Sequence, residues 1–195
     1  MIFLAGILQP PFFNIHYPKY INYATIGHVI GHEITHGFDT GGSRYDKDGK
    51  LENWWSNASW TQFQTDASCV ADYYSTYKLS GMQVNGQLTL TENMADIGGL
   101  KLVKEGYELW VADHSKEGTL PGTKRSVEEL TLIAAAQKSC GHVSLEMLKR
   151  QILTGPHSPH QVRTNGALSQ LQVFAETFRC PPGSNMNPLN KCNVW

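Results

Sequence analysis

The chain has 195 residues, 41% of them hydrophobic, and a formal net charge of −1. That is enough apolar material for the core of one domain or most of one. The near-neutral balance excludes the basic field that nucleic acid recruits, and no stretch is long and apolar enough to span a membrane. A phosphate-cradling glycine loop, a C-x-x-C pair and a Gly-x-Ser-x-Gly elbow are all missing from the sequence. Met1 to Leu8 is apolar but has no positively charged leader and no convincing small-residue cleavage site, so it is not read as a signal peptide.

Residues Ile21 to Phe38 predict a helix. Ile26, Val29, Ile30, Ile34 and Phe38 recur near helical spacing, and Gly37 with Gly41-Gly42 stops the run. Gly27 and Gly31 each lower helix propensity by roughly 1 kcal/mol relative to Ala, so burial of the apolar stripe is expected to offset them. Inside this helix lies His32-Glu33-Ile34-Thr35-His36. Residues four apart sit on one helix face, so the two imidazoles can hold one metal ion while Glu33 reaches a water bound to it. The step from this pattern to zinc peptidases comes from the motif's known occurrence, because geometry alone gives only a metal. Two histidines on a polar helix face are the bland reading, which the apolar flanks disfavour. His28 is four residues before His32, but Val29 follows it where a general base would be needed. It is therefore read as a pocket-wall or packing residue.

Residues 39–57 read as a loop with a turn at Asp48-Gly49, and Trp54, Trp55 and Trp60 as aromatic packing. Ser59 to Tyr77 predicts a second helix, and Val84 to Leu90 short extended chain turning at Asn85-Gly86. Thr91 to Asp113 predicts a third, which Thr89 or Thr91 can cap. It holds Glu92 and Asp96, again four apart. Beside the histidine pair, Glu92 is the candidate third metal ligand, and Asp96 a group that hydrogen-bonds the far nitrogen of a ligating histidine and fixes its tautomer. Helices are expected over Ser126 to Ser139, with a Ser126/Glu129 capping box, over Ser144 to Leu153, and over Ser169 to Phe178. Gly155 to Gly166 reads as a loop carrying His157 and Arg163. The four cysteines, at 69, 140, 180 and 192, are spaced for long-range disulfides or buried thiols rather than a zinc knuckle. Asn57-Ala58-Ser59 is a single glycosylation acceptor, consistent with secretion.

Taken with Ala5 to Phe13, Val29 to Asp39, Asp46 to Gly49, Trp54-Trp55, Leu90 to Gly99, His157-Ser158-Pro159 and the ending from Phe178 to Trp195, the chain resembles the carboxy-terminal part of the neprilysin / endothelin-converting enzyme family of zinc endopeptidases. The ending is similar to the endothelin-converting branch. The resemblance implies a mainly α, thermolysin-like catalytic domain with a few short strands, of which residues 1–195 are the carboxy-terminal part. The upstream lobe of the family would be absent. It implies one zinc ion on His32, His36 and Glu92, peptide substrates, and a site at the cell surface or outside it, anchored by an upstream membrane helix this segment does not contain. The chemistry of a metal-bound water makes Glu33 the general base, and Asp96 joins the catalytic group through the histidine it fixes. By the same resemblance, His157 stabilises the transition state, Arg163 binds substrate backbone, and Asp39 is an acid near that arginine. Ile7, Phe12, His28 and Val29 line the primed-side pocket. Cys69 pairs with Cys192, while the partners of Cys140 and Cys180 lie upstream. Departures from the pattern are the missing Asn-Ala-x-Tyr element, His28 in place of methionine, and Lys138-Ser139 in place of valine and tryptophan. These imply a more polar pocket. The rival expectation is a truncated, non-catalytic zinc-binding remnant.

Overall fold

A computed structural model describes residues 1–195. The elements in order are α1 (Lys19–Asn22), a π turn (Tyr23–Gly27), α2 (His28–Thr35), a 3-10 turn (His36–Phe38), α3 (Asn57–Tyr74), β1 (Lys78–Leu79), β2 (Met82–Gln83), α4 (Leu90–Asp113), α5 (Val127–Gln137), α6 (Leu145–Thr154), α7 (His160–Gln170) and α8 (Gln172–Thr177). The expected mainly helical architecture is what forms, with one two-stranded antiparallel hairpin. No helix is long and apolar enough to cross a membrane.

α4 is the axis. Met94, Ile97, Leu100 and Val103 on it pack with Phe63, Val70 and Tyr74 of α3, Leu132 of α5, and Val162 and Leu168 of α7. The helix that carries the histidines runs from Lys19 to Phe38 in α, π, α and 3-10 turns, so the continuous helix read from periodicity is present but overwound and underwound along its length. Its burial corrects one expectation. Ile30, Ile34 and Phe38 are exposed, while the buried residues of α2 are His28, Gly31, His32 and Thr35. The small and polar face meets α4, and the apolar stripe is uncovered in this chain.

Glycines explain that orientation. A Cβ on Gly31 would stand 3.0 Å from both Cα and O of Gly99; one on Gly99 would stand 2.8 Å from the His32 nitrogen; one on Gly98 would stand 2.5 Å from Thr35 Cγ2. The propensity lost at Gly31 is therefore offset by close helix contact rather than by the apolar stripe.

Three further boundaries differ from expectation. The hairpin turns at Ser80-Gly81, both with positive φ, instead of at Asn85-Gly86. Asn85 instead accepts a hydrogen bond from the Leu88 nitrogen and leads into α4. Residues 160–170 are helix rather than loop, so only His157 stands on a loop and Arg163 stands on α7. The helix expected over 169–178 is broken at Leu171, whose ψ of 123° is extended. There Lys191 Nζ donates to the Ser169 carbonyl and the Cys192 nitrogen to Gln170 Oε1, so distant chain takes over the groups freed by the break. The Ser126/Glu129 capping box forms as expected. Cys69 and Cys192 are joined by a disulfide across 123 residues, and Cys140 and Cys180 are free.

Candidate metal centre

The site is assembled from α2 and the first turns of α4. His32 Nδ1 lies 2.9 Å from Asp96 Oδ1, and His36 Nδ1 lies 2.6 Å from Asp39 Oδ2. A carboxylate only accepts, so each Nδ1 carries the proton and each neutral imidazole presents a bare Nε2. Those two Nε2 atoms face each other at 3.0 Å. Glu92 Oε2 joins them, 3.2 Å from His32 Nε2 and 3.7 Å from His36 Nε2. This oxygen is buried and accepts no aligned hydrogen bond from the protein. Three electron-rich atoms converging without a shared proton repel one another, and a cation between them removes the repulsion. Zinc bonds of about 2.0–2.1 Å in a tetrahedron put ligand atoms ~3.3–3.4 Å apart, so the observed separations fit that ion. The mixed nitrogen and oxygen donor set suits zinc as well.

Without a cation the same cluster gathers protons. Hydrogen bonding to Asp39, and then to Glu92, raises His36 to about 10. Burial alone would lower His32, but Asp96 and Glu92 outweigh it and the imidazole is raised. Burial pushes the Glu92 carboxyl up, but the close approach of the His157, His32 and His36 rings outweighs this when they are protonated and holds it well below the ordinary range.

Asp96 is almost fully buried and serves two partners. Besides His32, it takes a bidentate bond from Arg163, Nε to Oδ2 and an Nη to Oδ1, both at 2.7 Å. Asp39 sits on His36, a supporting position, and also accepts from the Gly41 and Gly42 nitrogens at 2.7 and 2.8 Å, while Arg163 pairs with Asp96. The Gly41-Gly42 turn leaves those two backbone donors free to anchor it. Glu33 lies between the two histidines on α2, exposed, with no ion pair to any protein group. His157 Nε2 lies 2.8 Å from Glu92 Oε2.

Sequence reasoning missed what holds His157 there. The neighbouring Ser158 is fully buried, its hydroxyl 2.9 Å from Asn93 Oδ1 and 3.1 Å from Thr89 Oγ1. Asn93 Nδ2 in turn donates to Thr89 Oγ1 at 2.9 Å. Thr89 therefore stands at the cap position of α4 but fastens a loop instead of capping with its side chain. The proximity of Ser158 to a helix 65 residues earlier has no local signal; the polar run Thr89, Thr91, Asn93 is the only hint.

His28 is buried one turn before His32. Its Nε2 lies 3.1 Å from the Asp96 carbonyl, and its Nδ1 has no partner. Burial drives its pKa down to about 3, so the ring is neutral. With Lys138, Ser139, Arg163 and Leu100 it lines a cavity of about 10 Å³, room for roughly one water. Ile7, Phe12 and Val29 are half-buried and do not line it. Phe12 is instead stitched to the π turn, its carbonyl accepting from the Ile26 nitrogen at 3.0 Å and from Thr25 Oγ1 at 2.6 Å.

The chain is similar to known proteins over its whole length. The chain is 45% identical over its whole length to human endothelin-converting enzyme 1, and covers 25% of that protein. It is 45% identical over 99% of its length to neprilysin-11 of Caenorhabditis elegans, and covers 23% of it. Both branches are thus matched equally. The fold superposes on a crystal structure of the Mycobacterium tuberculosis zinc metalloprotease Zmp1 in complex with an inhibitor, with a TM-score of 0.91 and 30% identity, covering 98% of this chain and 30% of that one. The chain spans about a quarter of the length of the curated relatives it matches. The model of peptidase family M13 matches residues 1–194, and the chain belongs to that family.

Proposed function

We propose that this chain is the metal-binding part of a zinc-dependent endopeptidase catalytic domain that hydrolyses short peptides. His32, His36 and Glu92 would hold one zinc ion, and Asp96 and Asp39 would orient the two imidazoles. The observation that carries this reading is the convergence of two bare Nε2 atoms and a buried carboxylate oxygen within 3.0–3.7 Å. When bound, the ion supplies a Lewis acid and lowers the pKa of water at its open position. Glu33, exposed between the two histidines and free of ion pairs, would act as the base that takes a proton from water and passes it to the leaving amine. His157 donates a hydrogen bond to the oxygen on which negative charge develops. Arg163, held by Asp96, presents its remaining guanidinium edge to a substrate carbonyl. Ile7, Phe12, His28 and Val29 bound the side on which the leaving part of the peptide rests.

Residues 1–195 would act as the carboxy-terminal part of that domain. The uncovered Ile30, Ile34 and Phe38 stripe supports a position against further chain of the longer relatives, because an apolar row of that size gains by being buried. The Cys69–Cys192 disulfide supports an extracellular or cell-surface setting.

Metal analysis of the purified chain, with a fluorogenic peptide assay before and after chelation, tests the proposal. The expected outcome is about one zinc per chain and turnover that falls on the order of 10²–10⁴-fold in Glu33→Gln with zinc retained. Zinc without any turnover would leave a metal-binding remnant. Failure to bind zinc would overturn the site itself.

A further inference from the structure

Lys138 has no role in the chemistry above. It stands at the carboxy-terminal cap of α5, and its side chain lines the small cavity beside His28, together with Ser139, Arg163, Asp96 and Leu100. The ammonium makes no hydrogen bond and no ion pair. Asp96 is the one carboxylate on that wall, and both of its oxygens are taken. Oδ2 accepts from Arg163 Nε, and Oδ1 from an Arg163 Nη and from His32 Nδ1. The guanidinium is therefore matched and the ammonium is not. Burial pushes Lys138 down to about 8, so it stays mostly charged at neutral pH. A cation in a partly dry wall gains from any anion that reaches it.

A second, independent observation is the orphaned nitrogen of His28, a residue only 4% exposed. Its Nε2 lies 3.1 Å from the Asp96 carbonyl, which only accepts, so Nε2 carries the proton. Nδ1 is then a bare, buried acceptor without a partner. The cavity of about 10 Å³ admits one water, which would give one hydrogen to Nδ1 and keep the other for a ligand. An incoming group thus meets an ammonium and a water hydrogen, both of which suit a carboxylate.

The cavity adjoins the metal centre. Asp96 joins the two, because its carboxylate holds His32 while its backbone carbonyl holds His28, one turn apart on α2. A peptide whose carbonyl sits at the metal position has a neighbouring side chain at the mouth of this cavity. Resting on the zinc-peptidase reading above, we propose that Lys138 makes the site select peptides whose first side chain on the leaving side of the cut bond is aspartate or glutamate. The carboxylate pairs with Lys138 Nζ and accepts from the water on His28 Nδ1, and Leu100 gives its CH₂ stem apolar contact. An apolar side chain in the same place strips water from the ammonium and returns no partner. That penalty carries the discrimination.

The experiment uses the whole zinc-loaded chain and two hydroxamates built on one scaffold. One carries a carboxymethyl side chain at this position and the other an isobutyl group, so calorimetry reads the preference without turnover. Matched fluorogenic peptides with Asp or Leu at the same position give a second readout. The carboxymethyl probe is expected to bind about 10–100-fold more tightly. The preference should vanish in Lys138→Met, which keeps the bulk and removes the charge, and in Lys138→Gln, with zinc content and Tm retained. Equal affinity of the two probes for zinc-loaded protein overturns the proposal. So does tighter binding of the isobutyl probe, or a carboxymethyl preference that survives Lys138→Met. A chain that binds no zinc removes the peptidase reading itself and this preference with it, so zinc content tells the two failures apart.

Discussion

Gly99→Ala is the sharpest probe of how the two site helices are held together. The new Cβ would stand 2.8 Å from the His32 nitrogen, 2.8 Å from His28 Cδ2 and 2.9 Å from the His28 carbonyl oxygen. Carbon atoms rest at about 3.5–4.0 Å, so α2 and α4 must separate by about 0.7–1.2 Å, and two of the three atoms in the way are backbone that cannot rotate aside. Overpacking of this kind costs roughly 1–3 kcal/mol, while replacing a helical glycine by alanine returns at most about 1 kcal/mol. With rigid neighbours the net loss lies near 2 kcal/mol, a fall of about 4–8 °C in Tm for a chain of this size. The same displacement widens the 3.0–3.7 Å separations among His32, His36 and Glu92, so zinc affinity falls on the order of tenfold or more. Calorimetry and a competitive zinc titration measure both. Gly27→Ala is the control. Gly27 has φ −60° and ψ −40°, and a Cβ there meets nothing nearer than 3.5 Å, so this variant gains about 0.4–1 kcal/mol. A Gly99→Ala protein with unchanged Tm and unchanged zinc affinity would refute the account of the α2–α4 contact.

Other expectations follow from the same geometry. In the metal-free chain His36 is raised from 6.5 to about 10, so the stability it adds is full below pH 6.5 and is lost as pH rises towards 10. Urea unfolding of the metal-free chain should show that decline. Zinc binding at neutral pH should release protons into a weakly buffered solution, because bare Nε2 atoms are the ligands. Asp96 is buried, which raises its carboxyl, but Arg163 and His32 outweigh this and hold it low; its contribution is present above the ordinary value of 3.8 and lost as pH falls below it. Asp96→Asn leaves Arg163 without its counter-charge and should cost about 3–5 kcal/mol by chemical denaturation. Cys192→Ser opens a loop of 123 residues and should cost about 3–5 kcal/mol, read as a lower unfolding midpoint, with zinc stoichiometry retained.

The ligand set was legible in the sequence because it depends on helical spacing within two segments, 32–36 and 92–96. What the spacing could not reveal was which face of α2 meets α4. Apolar periodicity selected Ile30 and Ile34, but the contact is made by Gly31, His32 and Thr35 against Gly98 and Gly99, where backbone approach outweighs side-chain hydrophobicity. The helix 160–170 was hidden by its own punctuation. Pro159 stands just before the first turn, where a missing N–H costs nothing, and Gly166 is inside the helix because a Cβ there would meet the Tyr74 ring at 2.8 Å. The break at Leu171 depends on Lys191 and Cys192, and Asp39 is held on His36 by the Gly41 and Gly42 nitrogens. No local pattern encodes the first, and the second needed the three-dimensional path of the turn.

The stretch from Lys191 to Trp195 closes over α7, 22 residues earlier, and over α3 and α4, 92 or more residues earlier. Lys191 reaches the Ser169 carbonyl, Cys192 is bonded to Cys69, Asn193 and the Trp195 carbonyl meet Lys101, and the Trp195 ring stacks on Phe63. A ribosome adds these residues well after those of α3 and α4, so the final fastening of those helices comes late in synthesis. Until then Cys69 is an available thiol on a half-finished surface, and the order of synthesis makes that interval the vulnerable one for mispairing with Cys140 or Cys180.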